Sequence, residues 1–285
     1  RGSVVTTCIC RAGLQTRPTF RYSAGVLDPA PEIPPSSPVV PPDTPRVQKP
    51  PPTLPIERLG ALIEVFLCSG LPTQLLVFQA LTSFGMASHA DDGGWSPAFI
   101  VSMALIDMVC VLLLIGVFLR AHREALSDFV IGPRRPLREV LLGIVCIPAA
   151  FVLVVVILAA ILAIRPSLHN VTVNPFERML QTPRDAAIFA VVVTLAGGVR
   201  EEVQRAFIVR RFNQYLGGAM AGIAVYSVIF GLGHVEQGYA AAIATGSLGA
   251  GWGVLYWRRQ SVIAPIVSHA GFNVAQLVKY VSLVR

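Results

Sequence analysis

The stretch Ala186-Ala187-Ile188-Phe189-Ala190-Val191-Val192-Val193-Thr194-Leu195-Ala196-Gly197-Gly198-Val199 is almost wholly apolar, and it is followed at once by Arg200-Glu201-Glu202-Val203-Gln204-Arg205. Apolar character then resumes at Ala206-Phe207-Ile208-Val209. An ionisable side chain near a bilayer centre costs roughly 2.5–3.5 kcal/mol even on the milder insertion scales, so a cluster of them implies mutual pairing or a water-filled cavity. The segment therefore reads as a membrane span that carries a functional site.

Composition extends that reading to the chain. Of its 285 residues 54% are hydrophobic and only 14% charged, with a mean hydropathy of +0.64, whereas soluble domains carry about a quarter charged residues. The net charge of +7 does not point to nucleic acid, because many positive residues cluster between apolar runs and no aromatic-basic platform accompanies them. Cys68, Cys110 and Cys146 sit in apolar runs as small hydrophobes, and Cys8-x-Cys10 lacks a second ligand pair for zinc.

Seven apolar segments are long enough to span: Leu59–Leu81, Phe99–Leu119, Glu139–Ala163, Ala186–Phe212, Gly217–Gly233, Tyr239–Trp257 and Val262–Leu283. Ahead of them, proline dominates from Pro29 to Pro55, a composition that cannot bury a core. Arg1, Arg11, Arg17 and Arg21 among Thr and Ser resemble a transit peptide or sequence upstream of a start, and this part is set aside from the fold. The expected fold is all-α: a polytopic membrane helix bundle of about seven transmembrane helices over 58–285, behind a disordered Pro-rich cytoplasmic tail at 1–57.

Loop charge sets the orientation. The first loop, Ser83–Pro97, has no Lys or Arg, whereas the next holds Arg120, Arg123, Arg134, Arg135 and Arg138. Arg210 and Arg211 follow the fourth span, and Arg258 and Arg259 follow the sixth. The positive-inside rule then puts the N-terminus in the cytoplasm and the C-terminus outside, in what we expect to be the cytoplasmic membrane of a prokaryote.

Polar residues inside the spans group by helix geometry. Glu201 and Arg205 are four apart and Glu202 is three from Arg205, so either carboxylate reaches the guanidinium. His234 ends the apolar run Val225–Gly233, while His269 and Asn273 share one face of the last span. His89, His122 and His169 lie in polar connections and read as solvated loop histidines; Glu64 and Asp107 read as interhelical hydrogen-bonding groups. Counted from the cytoplasmic ends, Glu201, His234 and His269 sit about 11, 17 and 7 residues deep, a spread of roughly 15 Å. Tilted or broken helices must close it, and Gly197-Gly198 and Gly231/Gly233 are where a lined cavity tolerates irregular backbone.

Arg200-Glu201-Glu202-Val203-Gln204-Arg205 resembles an E-E-x-x-x-R motif, Phe230–His234 resembles F-x-x-x-H and His269–Asn273 resembles H-x-x-x-N. In that order on membrane helices they resemble the CPBP family of intramembrane proteases, which includes type II CAAX prenyl endopeptidases and bacteriocin-processing or immunity proteins. Arg205 comes one residue early. Matching the glutamate pair makes Glu201 the catalytic base, and matching Arg205 makes Glu201 the second glutamate with Arg200 in the base position; we take the first register. The resemblance then implies that Glu201 activates water, His234 helps to hold it, and His269 and Asn273 donate to the oxyanion, with Arg205 neutralising Glu202. Such preorganised donors in a dry site are commonly the largest catalytic contribution.

The resemblance also implies a membrane-lipid setting and protein or peptide substrates, lipidated or not. A metal reading stands beside the metal-free one: Glu201, His234 and His269 from three helices would hold zinc or another divalent ion with one position open. No cofactor is the favoured reading, since there is no His-Glu-x-x-His and Asn273 is a better hydrogen-bond donor than zinc ligand. The other function classes are a non-catalytic membrane scaffold or immunity-type protein, and a proton-relaying transporter, for which the chain shows no internal repeat.

Overall fold

The computed structural model describes residues 54–91, 93–171, 179–180 and 182–284. The Pro-rich tail, up to residue 53, lies outside the described residues, and so do Cys8 and Cys10. Among the described residues the chain is helical, with one isolated bridge between His89 and Trp95 and no strand. Helices α1 (Pro55–Leu67), α2 (Leu71–Ser83), α3 (Pro97–Ala121), α4 (Leu126–Val130) and α5 (Pro136–Ile164) come first. Then α6 (Pro183–Val192), a π-helical segment (Val193–Arg200) and α7 (Glu201–Tyr215) follow one another directly. The chain continues through α8 (Ala219–Leu232), α9 (Tyr239–Arg259) and α10 (Ile263–Val284).

Local chemistry explains where these helices start. Proline occupies the first turn of α1, α2, α3, α5 and α6, where its missing N–H breaks no helical bond. At α6 a capping box is added: Asp185 N donates to Thr182 Oγ1 at 3.2 Å, and Thr182 N donates to Asp185 Oδ2 at 2.9 Å.

Every expected apolar segment is helical, but their lengths are unequal. Three stretches, Pro55–Ser83, Pro97–Ala121 and Pro136–Ile164, are long and apolar enough to cross a membrane, with shorter apolar helices at Ala219–Leu232 and Ile263–Val278. The first expected span is interrupted, because Gly70 takes a left-handed conformation (φ +86°) between α1 and α2. The gap is filled from α7, where Gln204 Nε2 donates to the Cys68 carbonyl at 2.6 Å.

Side chains are distributed for a non-aqueous surround. Leu76, Leu113, Val145, Val152 and Val155 point outward, while Glu64, Asp107, Glu139, Glu202, Arg205 and Arg211 are buried. In water that arrangement would waste the hydrophobic driving force; in lipid it hides the groups that must be paired. At the centre lies α7, whose Ala206, Phe207, Ile208 and Val209 are all buried and which packs against α1, α3, α8, α9 and α10.

Two loop readings change. Arg210 and Arg211 belong to α7, and Arg211 is completely buried: its Nε meets Glu64 Oε2 at 2.6 Å and its NH1 meets Glu124 Oε1 at 2.5 Å. His122, expected to be solvated, contacts the other oxygen of Glu64 at 2.6 Å. Glu64 is thus no isolated hydrogen-bonder but the hinge of an ionic cluster joining α1, the end of α3 and α7. His89 stacks on Trp95 with ring centroids 4.7 Å apart, and Trp95 Nε1 donates to Glu236 Oε2 at 3.2 Å.

Candidate active site

The acidic pair sits at a seam between two helical forms. A π-helix widens the turn, is rarely stable alone, and is found mostly at functional sites. Here the seam is held on both sides. Where the π-helical segment meets α10, a Cβ on Gly198 would lie 2.6 Å from Ala270 Cβ, and one on Gly197 would lie 2.8 Å from Asn273 Nδ2. Only glycine admits so close an approach, so this pair sets the spacing between the segment and the helix that carries His269 and Asn273. At its other end Arg200 NH2 meets Asp107 Oδ2 of α3 at 2.5 Å, and Thr73 of α2 also donates to Asp107. Arg200 is therefore occupied as an anchor, and Glu201 is the next residue.

The two carboxylates then diverge. The Glu202 side chain is 1% exposed and that of Glu201 is 19% exposed, so Glu201 is the less enclosed of the two. Glu202 Oε1 accepts from Arg205 NH1 and lies 2.7 Å from His269 Nδ1. A carboxylate paired with a guanidinium only accepts, so His269 Nδ1 carries the hydrogen and Nε2 is the ring atom left for other partners. That Nε2 is 3.8 Å from Glu201 Oε2, within ion-pair range and beyond a direct hydrogen bond.

His234 lies in the turn after α8. Its Nδ1 is 2.8 Å from the Phe230 carbonyl, which can only accept, so Nδ1 donates and Nε2 is again the free atom. The Phe230 ring stands edge-on to His234 (centroids 4.8 Å, 60°) and to His269 (6.1 Å, 88°), which places it beside both histidines. Asn273 is one turn beyond His269 on α10, against Gly197. Glu201, Glu202, Arg205 and His269 thus converge directly, with His234 and Asn273 on the border. His89, His122 and His169 have no part in the cluster.

Arg205 is 1% exposed and enclosed by aromatic faces: its guanidinium carbon lies 4.6 Å from the Phe230 centroid, 5.5 Å from Tyr226 and 5.6 Å from Trp252. Trp252 also stacks on His269, with centroids 3.9 Å apart and an interplanar angle of 17°. Trp252 was not expected at the site, and Asp107 was favoured as an interhelical hydrogen-bonder over a residue lining the cavity. A tryptophan flanked by Gly251 and Gly253 inside an apolar helix is the sequence signal that points to the first; the pairing of Asp107 with a residue 93 positions away leaves no local trace. Among the described residues, no three His, Cys, Asp or Glu side chains are grouped so as to hold a metal ion, and the trio Glu201, His234 and His269 does not fit one as it stands.

Residues 183–275 match the family model described as type II CAAX prenyl endopeptidase Rce1-like. That segment runs from α6 into α10 and contains all of the residues placed in the cluster except Asp107 and Thr73. The segment is thus similar to an Rce1-like domain, and with three stretches among the described residues long and apolar enough to cross a bilayer the chain has the character of an integral membrane protein. No curated protein and no solved structure matches the chain.

Proposed function

We propose that the chain is an intramembrane endopeptidase that hydrolyses peptide bonds of membrane-associated proteins or peptides, lipidated or not, with Glu201 as the base. The observation that supports this most is the separation of roles within the acidic pair: Glu202 is spent on Arg205 and His269, while Glu201, the more exposed of the two, makes no direct hydrogen bond and stands 3.8 Å from His269 Nε2. The reaction follows from those positions. Glu201 takes a proton from water held with His234 Nε2, and the hydroxide attacks the peptide carbonyl carbon. The carbonyl π electrons move to oxygen, and Asn273 Nδ2 donates to that oxyanion; His269, whose Nδ1 hydrogen is held by Glu202, adds a second donor at Nε2 only when its ring carries a second proton. Collapse breaks the C–N bond, and the proton on Glu201 goes to the leaving amine. The reading keeps the N-terminus in the cytoplasm, the C-terminus outside, and a cytoplasmic tail ahead of the domain.

Glu201→Gln retains shape and removes the base, which typically costs about 10²–10⁴-fold in rate. Comparing peptide termini in membranes that contain the parent or the variant should reveal termini made by the parent alone; an identical set from both would sink the proposal. We further propose that no metal takes part. A chelator added to the same membranes should leave processing within about twofold of the untreated rate, whereas a metal-activated water would be lost with its ion.

A further inference from the structure

Helix α9 brings to the site one residue with no role in the reaction above, and its ring stacks on the imidazole. The Trp252 indole lies flat on the His269 ring, 3.9 Å between centroids and 17° between planes. It is 4% exposed, as is His269. The indole is itself pinned: Nε1 donates to Ser268 Oγ at 3.1 Å, and Ser268 is the residue before His269 on α10. Phe272, one turn further, closes on the indole from the side (centroids 6.3 Å, 67°) and is backed by Phe151 of α5 at 4.6 Å.

An imidazole held by one hydrogen bond can still swing about that bond. Glu202 fixes the Nδ1 edge of His269 at 2.7 Å but does not fix the plane of the ring. A flat aromatic face against the imidazole removes that remaining freedom, because tilting the ring would separate the two faces or drive one edge into the indole. The direction of Nε2 toward Glu201 therefore needs both contacts, one from α7 and one from α9.

We propose that Trp252, clamped by Ser268, is a positioning residue that locks the ring plane of His269 so that Nε2 faces Glu201 and the substrate. Only the kinetic part of this inference rests on the endopeptidase reading. A misplacement of about 1 Å at a reacting group can cost about 10²-fold in rate without changing binding. Trp252→Leu should then lower kcat by about 10- to 100-fold with KM within about twofold, and Trp252→Phe, which keeps an aromatic face, should restore kcat to within about threefold of the parent.

The geometry has its own readout. In protein labelled with ¹⁵N-histidine and held in detergent, the signal lost in His269→Gln is the Nδ1–H of His269. Its exchange with solvent should be at least about tenfold faster in Trp252→Leu and near the parent rate in Trp252→Phe. An unchanged rate in Trp252→Leu, or equal acceleration in both variants, overturns the proposal. Should the parent cleave no membrane peptide while the exchange pattern holds, the endopeptidase reading fails and the lock on His269 stands.

Discussion

Glu202 Oε1 serves two donors, Arg205 and His269, and its other oxygen is buried without a partner. Replacing this carboxylate leaves the guanidinium of Arg205 among Phe230, Tyr226 and Trp252 without its directly bonded carboxylate. Breaking a buried pair by removing one partner costs about 3–5 kcal/mol, so Glu202→Gln should lower thermal stability in detergent by many degrees. Glu201→Gln, at a partly exposed side chain whose contact with His269 is 3.8 Å long, should leave the unfolding midpoint within about 2 °C of the parent, since a change that breaks no direct buried hydrogen bond stays within about 0.5 kcal/mol. Equal midpoints for the two variants would contradict the division between them. Adjacency in the chain could not make this distinction, because both glutamates lie within helical reach of Arg205. What separates them is that Glu202 meets Arg205 and His269 directly while Glu201 stands 3.8 Å off His269, which depends on how α7 is rotated against its neighbours.

The element that sets that rotation is the π-helical segment Val193–Arg200. Irregular backbone near Gly197-Gly198 was expected from the mismatch in depth between Glu201 and the two histidines. The sequence also shows why those positions tolerate it, since glycine permits close packing. Its form as a run of π-helix ending at Arg200 is held by partners far away in the chain: Ala270 and Asn273 on one side, Asp107 on the other. Gly198→Val would drive a branched side chain into Ala270, and overpacking of this kind costs about 1–3 kcal/mol. The variant should unfold a few degrees lower and, because α10 is pushed from the seam, process substrate more slowly than Gly198→Ala; a valine variant with the parent's midpoint and rate would show that the contact is loose. The break at Gly70 follows the same logic. Within the apolar run Leu59–Leu81, Gly70 and Pro72 are local breakers, but what takes the freed carbonyl of Cys68 is Gln204, arriving from α7.

Across the whole molecule, lipid-facing apolar side chains and buried charges make one arrangement, and its orientation is open to a direct test. If the N-terminus is cytoplasmic, a cysteine introduced at Ala90, between α2 and α3, should react with an impermeant maleimide from outside intact cells in a cysteine-free background, and one at Ser127, in α4, should react only after the membrane is opened. The reverse pattern would invert the topology. The amino-acid sequence by itself determined that the chain is helical and membrane-embedded and which stretches are its helices, because apolar run length and proline positions are local properties that lipid reads directly. It also named Glu201, Glu202, Arg205, His234, His269 and Asn273, since charge and imidazole in an apolar run are visible one residue at a time. Only the tertiary structure decided which carboxylate pairs with Arg205 and His269, that Arg200 and Asp107 anchor the seam, and that Trp252 lies on the imidazole. Those are distances between helices far apart in the chain, and they exist only once the helices have packed.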